Sequence, residues 1–112
     1  MGNTEIEKSK ALNLVKVLEY VSKAVLSKTI VRKLTGNITV SSLDISEGIS
    51  EKVSPFDAFI QIIDGRAEII IDRESKIFET GDGIIVPAHQ SSRLKANERF
   101  KMISTIIKSG YE

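Results

Sequence analysis

Few side chains in this sequence can do chemistry, and they are scattered. His89 is the only histidine and cysteine is absent, so no thiolate nucleophile, disulfide or Cys-ligated metal site can form. An imidazole titrates near neutrality and can act as a general base or a metal ligand. His89 lies in a loop-like stretch after Pro87. It is either a displaced ligand or base or an exposed loop residue, and a single imidazole does not make a site. Gln61 is the one polar residue in the apolar run 59–63. It either hydrogen-bonds a ligand or is satisfied within a sheet or against a partner subunit. Arg93 and Arg99 flank the last turn; they gate an opening for an anion or lie solvated on the surface. Asp57 and Asp64 read as strand-end or turn residues, and Asp64-Gly65 is a hairpin signal explained by backbone geometry.

Positioning these groups falls to a single domain, since 112 residues give one core and only just enough chain to bury it. Charged residues make up 28% of the chain, yet the net charge is +1. No block of like charge marks a nucleic-acid or membrane surface. No apolar run approaches the ~18 residues of a membrane span. The polar, acidic N-terminus lacks the apolar stretch of a secretory signal, so a cytoplasmic protein is expected.

Residues 1–10 are polar and expected to be loose, although Asn3 or Thr4 could cap a helix starting near Glu5. Ala11, Leu14, Val15, Leu18 and Val21 fall at helical spacing, which predicts a short helix closing the core. The period then changes to two. Strands are predicted over 25–32 and 38–45, separated by the turn Thr35-Gly36-Asn37. The run 59–63 is apolar on both parities except at Gln61, the pattern of a strand buried on both faces or at a subunit interface. Ala67, Ile69 and Ile71 alternate with polar residues. Short strands are expected at 76–78 and 84–86, with a loop over 87–92. A last strand spans 100–107, followed by a loose tail from 108. Many short strands with frequent turns indicate an all-β sandwich or barrel.

Five segments carry a resemblance: Glu47-Gly48-Ile49-Ser50-Glu51, Pro55-Phe56-Asp57-Ala58-Phe59, Asp64-Gly65-Arg66-Ala67-Glu68-Ile69, Gly81-Asp82-Gly83-Ile84-Ile85-Val86-Pro87-Ala88, and Glu98-Arg99-Phe100-Lys101-Met102. In this order and spacing the chain from about Asn13 to Lys108 resembles a small single-domain cupin. The resemblance implies an all-β fold, a double-stranded β-helix or jelly-roll barrel. Here that fold would carry a short N-terminal helix, with 1–10 as a flexible lead and 11–112 as one barrel domain. Cupins often hold a divalent metal through His-x-His, a following Glu, and a His after the proline of the second motif. Carried onto this chain, the first two His slots fall near Lys52 and Ser54, the Glu slot on Ala58 and the last His slot on Ser92. Transition metals need imidazole or carboxylate lone pairs at ~2.0–2.2 Å. Serine hydroxyls are poor substitutes, and a protonated lysine repels a cation. No metal and no cofactor are therefore expected.

Three functions stay open at this point. In the first, the barrel is a non-catalytic module that binds or senses a small anionic ligand. Lys52, Ser54 and Ser92 would line the pocket, with Gln61 and His89 as further contacts, and Lys52 would hold a carboxylate or phosphate. The second is a cupin enzyme (an isomerase, dioxygenase or sugar-modifying protein) using atypical ligands such as His89, Gln61 and Glu51, or metal-free acid–base chemistry. The third is a structural or interaction barrel filled with its own side chains. The missing ligands favour the first. Small cupins commonly pair through their sheets, and the doubly apolar run 59–63 suits such an interface, so a homodimer is expected, with neither nucleic acid nor membrane as partner.

Overall fold

The computed structural model describes residues 7–108, all in strands, turns and irregular segments. Eight strands follow in chain order: β1 (Val25–Lys33), β2 (Gly36–Leu43), β3 (Gly48–Val53), β4 (Asp57–Ile71), β5 (Glu74–Glu79), β6 (Gly83–Val86), β7 (Ser91–Lys95) and β8 (Phe100–Ile107). Every pairing is antiparallel. One sheet runs β1-β2-β8-β4-β6, and a second runs β5-β4-β7-β3. The long strand β4 belongs to both, pairing with β8 and β6 through its first half and with β5 and β7 through its second. The two layers curl into the expected jelly-roll barrel.

The bend in β4 corrects one expectation from the sequence. Asp64-Gly65 is not a hairpin turn, because the strand continues through it to Ile71. The register against β8 slips between Ile62 and Asp64, which is a bulge. Gly65 has φ +83°, and a Cβ there would fall on the Arg99 carbonyl oxygen. The extra residue and the left-handed glycine turn the strand out of one sheet and into the other. The true hairpin comes next, where Asp72 and Arg73 have φ 53° and 75°. Two positive φ values in a two-residue loop match the twist of the flanking strands.

Inward-facing residues of both sheets form the core, among them Leu43, Ile60, Ile62, Ile69, Leu94, Phe100 and Met102. Burying each such side chain stabilises the fold by about 1.5–3 kcal/mol. On the opposite face of the first sheet, Val40 and Ile103 sit across from each other on β2 and β8 and are also buried.

The segment before β1 lies over that outer face, and it is not the expected helix over 11–21. Among the described residues no helix forms. The Asn13 side chain accepts a hydrogen bond from the Val15 N–H at 3.1 Å, a local bond that competes with helical pairing. The carbonyls of Glu19 and Val15 accept hydrogen bonds from Ser42 Oγ and Lys101 Nζ. Anchored by these bonds to β2 and β8, the segment becomes an irregular strap. Leu14, Val15 and Val21 are left more than a third exposed. The expectations for Asn3, Thr4 and the tail beyond 108 lie outside the described residues. No described helix is long and apolar enough to cross a membrane.

Candidate functional site

Two strands that the sequence hides build the site. Residues 50–54 and 91–92 read as loop, yet β3 and β7 pair, setting Ile49 opposite Leu94 and Lys52 opposite Ser92. Ile49 and Lys52 are three residues apart and would point to opposite faces of a regular strand. A register irregularity between them turns both inward. Ser54 follows β3. Its Oγ accepts from the Phe56 N–H at 3.1 Å, and its carbonyl accepts from the His89 N–H at 2.7 Å. Asp57 Oδ1 accepts from the Ala88 N–H at 2.7 Å. The loop between β6 and β7 is thus fastened to the approach to β4.

These elements enclose a chamber of about 170 Å³ between the two sheets. Its walls are mainly apolar, including Ile60, Leu94, Met102 and Ile106; its polar groups are Lys52, Ser54, Gln90, Ser92 and Ser104. An apolar cavity of about 150 Å³ accommodates benzene, so the chamber suits a ligand fragment of that size. No acidic residue lines it, and Lys52 forms no ion pair among the described residues. The chamber combines one ammonium and three hydroxyls with a mainly apolar lining, an arrangement fitted to an anion with an apolar body.

Lys52, Ser54 and Ser92 are brought together; the other two candidates are not among the chamber-lining groups. Gln61 is exposed on the outer face of the first sheet, opposite Ile103 on β8 and Gly83 on β6. His89 is exposed with φ 71°, and its backbone, rather than its ring, serves the structure. Glu51 and Arg93 face a separate surface hollow with Arg73. Arg99 stacks over the Tyr20 ring at 4.5 Å. Sequence reasoning passed over Gln90 and Ser104. It also passed over a larger groove of about 500 Å³ along the seam between β5 and β6, lined by Ile69, Ile71, Phe78, Glu74 and Lys76. Pro87 and Gln90 line both groove and chamber.

Among solved structures, a cupin superfamily protein from Desulfitobacterium hafniense is 25% identical, with TM-score 0.85, over 91% of this chain and 94% of its own. This chain has the cupin fold. A conserved protein of unknown function from Streptococcus pyogenes is 37% identical, covering 95% of this cupin and 92% of that chain, with TM-score 0.88. A cupin 2 conserved barrel domain protein from Leptotrichia buccalis is 28% identical over 87% of this cupin but only 47% of its own length, with TM-score 0.84. No protein-family model and no curated protein matches the chain.

Many cupins bind metal in their barrel, and the chamber tests whether this one is equipped to do so. The slots hold an ammonium, two hydroxyls and the methyl of Ala58, and the lining contains no imidazole or carboxylate. Among the described residues no three His, Cys, Asp or Glu side chains converge, and Glu51, at a surface hollow of the second sheet, and Gln61, on the outer face of the first, do not share a site. This donor set does not fit a first-row divalent ion.

Proposed function

We propose that this cupin is a cytoplasmic binding or sensing module for a small molecule with an anionic group and an apolar body. One observation carries the reading: Lys52 and Ser92 stand opposite each other on β3 and β7, at an apolar chamber lined by no acid. A cationic group without a counter-charge beside apolar walls favours a carboxylate or phosphate whose remaining atoms leave water.

The same reading includes a homodimer. On the outer face of the first sheet Phe59, Ile85 and Ile107 are 41%, 63% and 57% exposed. They surround a shallow hollow of about 270 Å³ with Thr105 and Asp57. A second copy offers the same apolar surface, and a two-fold pairing buries both at once.

Thermal-shift and calorimetric titration with benzoate, acetate, inorganic phosphate and neutral sugars tests the binding role. Saturating benzoate is expected to raise Tm by roughly ten degrees, and Lys52→Met is expected to abolish the shift. If no anion stabilises the protein, or if the purified protein carries stoichiometric transition metal, the reading fails.

A further inference from the structure

The chamber and the seam groove share one continuous wall, and the register of the second sheet shows how. Glu74 on β5 pairs with Ile71 on β4, Ile71 with Ser92 on β7, and Ser92 with Lys52 on β3. Residues directly opposite in an antiparallel pair lie on the same face, and Ile71 packs against the core. The four therefore form one lateral row on the inner face, with a carboxylate at one edge and an ammonium at the other. Neighbouring strands are ~4.8 Å apart, so three spacings separate the two backbones by about 14 Å. Both end residues are exposed and neither is in an ion pair among the described residues. The next row runs Lys76, Ile69, Leu94, Ile49 and is apolar except at its groove end. There Lys76 opposes Glu74, while Asp72 adds a second carboxylate to the groove, leaving that end net acidic.

We propose that chamber and groove are the two ends of one site, and that it takes an elongated bipolar molecule. A carboxylate sits at Lys52, an aliphatic middle lies along Ile71 past Gln90, and an ammonium sits at Glu74. The inference rests on the binding role above and specifies the ligand class. The groove alone does not select a cation strongly, because Lys76 is close to Glu74 on the same face. The two opposite charges at a fixed span select one molecule carrying both.

Isothermal titration of the full chain with octanoate, ω-aminobutanoate and ω-aminooctanoate tests this span. The long amino acid is expected to bind at least tenfold tighter than octanoate, which lacks the amine, and than ω-aminobutanoate, which is too short to reach both ends. Glu74→Gln is expected to bring ω-aminooctanoate down to the affinity of octanoate and leave octanoate unchanged, whereas Lys52→Met weakens both. Both substitutions are at exposed positions, and an unchanged melting temperature verifies the fold. If octanoate binds as well as its amino derivative, the bipolar site is overturned and the anion-binding role stands. If no probe binds, both fall.

Discussion

Tyr20 ties the strap to the barrel through several neighbours at once. Its hydroxyl donates to Asp64 Oδ2 at 2.6 Å, and Arg99 and Lys101 lie over its ring at 4.5 and 4.9 Å. Burial first, then the hydrogen bond to Asp64 and the charge of Asp64, push the phenol well above its usual range, with Arg99 opposing in part. The folded state therefore holds this proton more tightly than the unfolded state does. The resulting stability is present in full below the unfolded pKa of about 10 and is lost as pH rises beyond it. Tyr20→Phe is expected to cost about 1 kcal/mol at neutral pH. Its deficit against the parent should shrink in denaturant melts taken at increasingly alkaline pH. Residues of this kind are hard to see in sequence, since Tyr20 and Asp64 are far apart in the chain. Lys52, Ser54 and Ser92 were legible only through the motif spacing that located them. The same spacing had nothing to say about Gln90 or Ser104. Gln61 was singled out as a polar residue in an apolar run, but its parity takes it to the outer face.

Among the elements, the predicted strands are the apolar or alternating runs, and each is found within a few residues of its expected place, with 59–63 and 67–71 joined into the single strand β4. The two missed strands, β3 and β7, each place one apolar residue inward, Ile49 and Leu94. Their other inward positions are Lys52 and Ser92, which line the chamber. A strand whose inward positions include polar residues such as Lys52 and Ser92 loses the periodicity that would reveal it. The strap shows the converse: a helical spacing of apolar residues did not make a helix once its carbonyls were engaged by Ser42 and Lys101. The bulge in β4 gives the sharpest test at this scale. Gly65→Ala would place a methyl on the Arg99 carbonyl at φ +83°. It is expected to destabilise the barrel by about 3 kcal/mol or more in chemical denaturation, far beyond the few tenths typical of exposed surface changes.

At the scale of the molecule, the exposed Phe59, Ile85 and Ile107 set the expected assembly. Light scattering during size-exclusion chromatography is expected to give a dimer mass, and Phe59→Asp or Ile85→Asp is expected to give monomers with an intact β-sheet circular-dichroism spectrum. A monomeric parent protein at micromolar concentration would overturn the pairing. The sharing of β4 between the sheets also bears on how the chain reaches this state. No pair of sheets can form and then dock, because each needs the same strand, and β2 must find β8 near the other end of the chain. Such distant pairings make folding slow, on the order of milliseconds to seconds. They also leave no half of the barrel able to open alone, so the amides along the middle of β4 exchange with solvent only when the whole molecule unfolds.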